Sequence, residues 1–206
     1  MLFRSGLKGY RLAAYDELPR TGVPELFHTK EEFEAYVDAL VKADVMQDAS
    51  YIWWSMRPSL KHPTLELRAP DVPTLVDDSI AIAALWRSLA RRLVANPQLN
   101  ADINAVGRAI VVENKWRAQR YDVGGTFVGE HGAITVAEWL DQVIEETAEH
   151  AEALGCFSEM KRCRAIVGGG TSADAQMAVY ERHRQTEDRI KALQAVSDWI
   201  AVATLQ

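Results

Sequence analysis

Cysteine is scarce in this chain, with only Cys156 and Cys163. Their spacing matches neither a Cys-x-x-Cys redox pair nor a zinc knuckle, and two thiols are too few for a disulfide framework, so both are expected to be buried and reduced. Long apolar runs are missing too. The longest uncharged one, Ile80 to Trp86, falls far short of the ~20 residues that cross a bilayer. The first residues, Met1-Leu-Phe-Arg-Ser-Gly6, lack the sustained apolar stretch of a secretion signal, and a cytoplasmic protein with no membrane partner is expected. Positive charge is in deficit: 23 Lys and Arg face 29 Asp and Glu, a formal charge of −6. That balance argues against a protein built to grip nucleic acid. The histidines form no ligand cluster, and His150 follows Glu146 by four positions, so the Glu-x-x-His pattern of di-iron bundles is not met.

No repeat, linker or charge block divides the 206 residues, and a hydrophobic share of 48% is enough for a core. A single domain over 1–206 is the expectation. Helices are marked by their caps. Thr29 with Glu32 precedes the stripe Phe33, Tyr36, Val37, Leu40 and Val41, predicting a helix to about Val45. Thr74 with Asp77 opens a second, ending near Asn96-Pro97, with Leu75, Ser79, Ile82, Trp86, Leu89 and Leu93 as its buried line. Thr135 with Glu138 opens a third, flanked by Ile134 and Trp139 as a hydrophobic staple and stopped by Gly155. Ile103 to Tyr121 and Ser172 to Thr204 read as helical. The latter is expected to break around Arg184 to Glu187, with Ile190, Leu193, Val196 and Ile200 as its later core stripe.

Between Ser50 and Arg68 the period changes to two. Ile52, Trp54 and Met56 fall on one face and Tyr51, Trp53, Ser55 and Arg57 on the other. In Thr64-Leu-Glu-Leu-Arg68, Leu65 and Leu67 oppose Thr64, Glu66 and Arg68. Pro58 and Pro63 bracket a connection that turns the chain back, giving an antiparallel hairpin, although Lys61 and His62 offer no tight-turn signature. Two strands alone are marginal, so helices are expected to cover Ile52, Trp54, Met56, Leu65 and Leu67.

The hairpin sets Arg57, Glu66 and Arg68 on one face. Such a cluster is either a surface ion network or a site in which Glu66 holds a hard cation while the arginines grip carboxylate or phosphate oxygens, with Tyr51 and Trp53 as an aromatic wall. A single Glu does not make a metal site, so further carboxylates would be required. Gly168-Gly-Gly-Thr-Ser172 before a helix is either an anion-binding start or a flexible connector, and it lacks the lysine of a P-loop. Asn114, Arg117 and Tyr121 share a helix face, on which Glu113 could equally pair with Arg117.

Trp53-Trp-Ser-Met-Arg-Pro-Ser59, Thr64-Leu-Glu-Leu-Arg68, Glu113-Asn-Lys-Trp-Arg-Ala-Gln-Arg-Tyr121 and Gly170-Thr-Ser-Ala-Asp174 occur in this order. Together they resemble the carboxylate-amine ligase family of bacterial type 2 glutamate-cysteine ligases, over nearly the whole chain. The resemblance implies an α+β fold, a glutamine-synthetase-like partial antiparallel sheet with a predominantly helical C-terminal region. It implies ATP, Mg²⁺ or Mn²⁺, L-glutamate and an amine such as L-cysteine, joined as a γ-glutamyl amide through an acyl phosphate. It makes Glu66 the metal-ligand position and Arg68 and Arg57 catalytic, with Arg57, Trp53, Asn114 and Arg117 as substrate contacts and Thr171 and Ser172 as nucleotide contacts. By the same resemblance the chain is the C-terminal portion of the catalytic fold, whose first strands would precede Met1. Gly169 and Ala175 stand where basic residues are expected in relatives. A homo-oligomer or a complementing N-terminal chain is therefore expected, and a non-catalytic remnant or assembly subunit is the alternative.

Overall fold

A computed structural model of the chain describes residues 5–205; residues 1–4, part of the segment read above for a secretion signal, lie outside them. The fold is α+β, with short strands among many helices. No helix of the described residues is long and apolar enough to cross a membrane. The chain falls into two compact units. The smaller comprises Arg11–Asp71 and Gln98–Lys115, and the larger comprises Val72–Pro97, Trp116–Gln206 and the described part of Met1–Tyr10.

In the smaller unit, α1 (Tyr10–Tyr15, of which Arg11–Tyr15 lie in this unit) and β1 (Thr21–Gly22) precede α2 (Lys30–Lys42). Thr29 caps α2 by accepting from the Glu32 N–H at 3.2 Å, while Glu32 reaches past it to accept from the His28 N–H at 2.7 Å. Glu31 and Glu32 in the first turn and Lys42 in the last complement the helix dipole. The helix stops three residues before the predicted Val45. Its apolar stripe packs on the segment where period two was read. Ile52 is 1% and Trp54 4% exposed, surrounded by Phe27, Phe33, Tyr36, Val37 and Leu40. The Tyr36 and Trp54 rings stack at 5.9 Å.

The strands are shorter than alternation suggested. β2 (Trp53–Trp54) pairs in parallel with β1, Thr21 opposite Trp53. Thr-Gly carries no periodic signal, so the sequence alone does not predict this partner strand. The expected antiparallel hairpin is β3 (Met56–Pro58) with β4 (Leu65–Leu67), in the register Met56 opposite Leu67, Arg57 opposite Glu66 and Pro58 opposite Leu65. Leu65 is a correction: it remains 45% exposed because it faces Pro58 at the outer end of the hairpin, beyond the apolar cluster around Trp54.

The larger unit is built on α3 (Val76–Ala95), α5 (Val136–Ala153), α6 (Phe157–Lys161) and α7 (Cys163–Gly169). α4 (Ala105–Tyr121), capped by Asn104 accepting from the Val106 N–H at 2.9 Å, belongs to the smaller unit through Lys115 and to the larger from Trp116. A hairpin of β5 (Thr126–Gly129) and β6 (Gly132–Thr135) separates α4 from α5. Its two-residue turn, Glu130-His131 between Gly129 and Gly132, carries none of the Asn-Gly or Asp-Gly signatures of tight hairpins, so local sequence does not announce these strands. α5 starts and stops as predicted. Thr135 and Glu138 form a reciprocal capping box, and Gly155 at φ +64° ends the helix with the Cys156 N–H donating to Ala151 O and the Gly155 N–H to Glu152 O.

The packed line of α3 differs from the expected one. Ala81, Ala84 and Ser88 are buried, whereas Leu93 is 41% exposed. Small side chains allow α3 to lie close against the layer of Leu140, Ile144, Ala151, Cys156, Met160 and Cys163. Both cysteines are free and buried, as expected. Two buried hydroxyls are satisfied locally, Ser88 donating to Ala84 O at 2.8 Å and Thr147 to Val143 O at 2.6 Å. Thr74 does not cap α3; Leu75 is the cap residue, and the Thr74 hydroxyl pairs with that of Ser172.

The C-terminal hairpin is α8 (Ser172–Arg184) and α9 (Arg189–Ala203), broken where predicted, with Asp188 capping α9. Of the expected stripe, Val196 is buried and Leu193 and Ile200 half-buried, whereas Ile190 is 79% exposed; Ala192 and Ala203 complete the buried line.

Close α3 packing predicts that Ala81→Leu lowers unfolding free energy by about 1–3 kcal/mol, whereas Ala83→Leu on the exposed side changes it by less than about 0.5 kcal/mol. Urea denaturation of the two variants measures the contrast.

Candidate active-site residues

Alternation along β3 and β4 turns Arg57, Glu66 and Arg68 to one face, and the structure brings all three together. Arg57 Nε donates to Glu66 Oε2 at 2.9 Å, and Arg68 Nη1 lies 3.6 Å from the same oxygen. The hydrogen bond from Arg57, then the charges of both arginines, hold the Glu66 carboxyl below its usual range against a burial effect of opposite sign. Arg57 is also a tie within the fold. Its Nη1 donates to Ser50 O and Ile52 O, each at 2.6 Å. The aromatic wall is present as well: the Tyr51 and Trp53 rings lie 6.0 Å apart, with the Arg20 guanidinium 6.0 Å from Trp53.

Arg11, which no sequence pattern singled out, anchors the far end of β4. Its Nη2 donates to Arg68 O, Ala69 O and Pro70 O at 2.7, 3.2 and 2.9 Å, and its Nε to Asp71 at 2.9 Å. With Asp16, Trp53, Ser55 and Arg68 it lines a cavity of about 10 Å³, the volume of one water. Ser55 Oγ, buried and without a hydrogen-bond partner among the described residues, borders that space.

The remaining predicted residues are held elsewhere. Asn114 lies on α4 in the smaller unit and is not free of partners. Arg117, in the larger unit, donates to Thr126 O at 2.5 Å and Thr126 Oγ1 at 2.7 Å and sits 5.5 Å from the Tyr121 ring centre. Thr171 caps α8 in a capping box with Asp174 and donates to Asp122 at 2.5 Å. Ser172 accepts from Gln176 at 3.1 Å besides meeting Thr74. Gly168 and Gly169 close α7, so only Gly170, at φ +86°, forms the bend into α8. Burial, followed by the nearby Asp174, raises the Asp122 carboxyl, with the Thr171 hydrogen bond opposing. Asp174 is itself pushed up by burial, but hydrogen bonds from Lys8 and Thr171 leave it lowered.

A divalent cation does not fit the donors found around Glu66. The Oε2 atom already faces two guanidiniums, and the described residues contain no group of three His, Cys, Asp or Glu able to hold a metal. A hard cation needs six or more oxygens, most of them beyond this carboxylate.

The chain is thus an α+β protein with two arginines flanking one carboxylate on a short hairpin. The match is specific: residues 3–195 fit the model of glutamate-cysteine ligase family 2 (GCS2), and the chain belongs to that family. A protein of Bradyrhizobium sp. (strain ORS 278), called "Putative glutamate--cysteine ligase 2", is 58% identical over 98% of this chain and 48% of its own length. Proteins of the same name from Bradyrhizobium diazoefficiens and Rhodospirillum rubrum are 50% and 39% identical, over 46% and 52% of their lengths. The chain thus spans about half the length of the curated relatives it matches.

Arg57→Lys keeps the charge but cannot serve Ser50 O, Ile52 O and Glu66 together. It is expected to cost about 1.5–3 kcal/mol in chemical denaturation. Asp122 gives a pH signature of known sign. Its raised carboxyl makes the folded chain retain a proton that the unfolded chain releases, so its contribution worsens as pH rises from the ordinary carboxylate value through the raised one. Asp122→Asn, which also suits the local φ of +54°, should raise the melting temperature at pH 7 and lose that advantage at pH 3.

Proposed function

We propose that this chain carries the carboxylate-handling part of an ATP-dependent glutamate-cysteine ligase. The observation that supports the reading is the set of Arg57, Glu66 and Arg68 on one face within a chain of that family. In the proposed reaction a γ-carboxylate oxygen of L-glutamate attacks the γ-phosphorus of ATP, and the bond to ADP breaks. The amine of L-cysteine, or of a similar amino acid, then attacks the acyl carbon. Phosphate leaves with the C–O electron pair, and the nitrogen loses a proton.

Arg68, less tied by backbone acceptors than Arg57, is proposed to hold the phosphoryl or carboxylate oxygens as their charge grows. Arg57 orients Glu66 and leaves Nη2 for substrate. Trp53, Asn114 and Arg117 are proposed substrate contacts, and Thr171 and Ser172 frame the nucleotide. Mg²⁺ or Mn²⁺ is proposed at Glu66 only in an assembly whose other chain, a second copy or a complementing N-terminal polypeptide, adds the missing oxygens. A cytoplasmic location accords with ATP as substrate. A second reading, a non-catalytic assembly subunit, is favoured by the lone carboxylate at the site.

Release of ADP and phosphate from ATP, glutamate and cysteine, assayed with the chain alone and after adding the half of a relative that this chain does not match, tests both. The ligase reading expects turnover in the presence of that half and its loss in Glu66→Gln with the circular dichroism spectrum unchanged. Absence of turnover in both mixtures, with the two polypeptides bound to each other, leaves the subunit reading.

A further inference from the structure

Ser55 stands where the two short sheets of the smaller unit meet. Its N–H donates to Gly22 O of β1 at 2.7 Å, and its carbonyl accepts from the Arg68 N–H at 2.8 Å. With Met56 opposite Leu67, one step along the hairpin puts Ser55 opposite Arg68, so their side chains leave the same face as neighbours. There the cavity of about 10 Å³ is bordered by Arg11, Asp16, Gly22, Ser55 and Arg68.

The lining holds both signs of charge and both kinds of hydrogen-bonding group. Arg11 and Arg68 bring only side-chain donors, the Asp16 carboxylate only acceptors, and the Ser55 hydroxyl both. Asp16 Oδ2 is taken by Lys115 at 2.5 Å, whereas Oδ1 lies beside Gly22, which has φ +82° and no side chain to cover it. The Ser55 oxygen is buried and meets no hydrogen-bond partner among the described residues. A covered hydroxyl is costly unless something in the adjoining space bonds to it. A volume of about 10 Å³ admits one water and nothing larger. A cation of that size would face two guanidiniums and an anion would face the Asp16 carboxylate. Water is neutral, donates to the carboxylate and accepts from the other groups.

We propose that this cavity is the binding site of a single water molecule, which donates to Asp16 and accepts from the Ser55 hydroxyl and the Arg68 guanidinium. Ser55 is then a positioning residue for Arg68, holding its side chain through the water. No step of the ligase reading enters the proposal and no readout of its test requires ATP or turnover, so either can fail without the other.

Oxygen-17 relaxation dispersion of the solvent detects waters held longer than the protein tumbles, and it is blind to hydroxyl exchange. The whole natural chain is compared with Ser55→Val, which fills the space with a methyl group, and with Ser55→Ala, which removes only the hydroxyl; circular dichroism checks both folds. The natural chain is expected to show a long-lived water that Ser55→Val lacks. Ser55→Ala is expected to melt about 2–4 °C lower, through the loss of one hydrogen bond. In the same variant, exchange of the Arg68 Nε hydrogen quickens about tenfold, while that of Arg57, bonded to Glu66, is unchanged. Equal water signals in the natural chain and Ser55→Val overturn the site. A higher melting temperature in Ser55→Ala overturns it too, because deleting a hydroxyl that bonds to nothing stabilises the fold. Unchanged Arg68 exchange overturns the positioning role, even where the water is found.

Discussion

The guanidinium of Arg57 is the tie on which the candidate site depends. One planar group donates to two backbone carbonyls on the chain entering β2 and to the carboxylate of β4. Arginine can do this because its donors are fixed in a fork, so satisfying one partner aligns the others. The three-residue strands on either side supply few ladder hydrogen bonds of their own. Arg11 does the same at the other end of β4, gathering three carbonyls and Asp71. Glu66 and Arg68 are thus presented by a hairpin whose geometry comes from side-chain bonds to backbone more than from sheet pairing.

The larger unit is held in another way. Its layer relies on residues with little side chain, Ala81, Ala84 and Ala151, and on hydroxyls that return to their own helix. Burying a hydroxyl is tolerable where an i−4 carbonyl accepts it, and the helices can then approach without a larger group between them. Around Thr171 the balance differs, because two carboxylates share one hydroxyl and a single lysine.

Membership of the glutamate-cysteine ligase family and the half-length match to its relatives bear on the chemistry together. A phosphoryl transfer site needs several groups to neutralise charge as it moves, and here one carboxylate is countered by two arginines. On the proposed reading, that arrangement would hold an anionic substrate group, one part of a ligase reaction.

Much of the fold was legible in the sequence where a single residue type does a local job. The capping box of Thr135 and Glu138, the Gly155 stop, the break after Arg184 and the shared face of Arg57, Glu66 and Arg68 all depend on neighbours within a few positions or on a period of two. Such features follow from backbone geometry alone. Tertiary structure decided the rest. Which stripe of α3 is buried, whether Leu65 is covered, and the pairing of Thr21 with Trp53 depend on elements distant in the chain. Arg11, reaching 57 residues along to Arg68, carries no local pattern. Helical and strand periods say which residues share a face; only packing against distant segments decides which face is inside and what it meets.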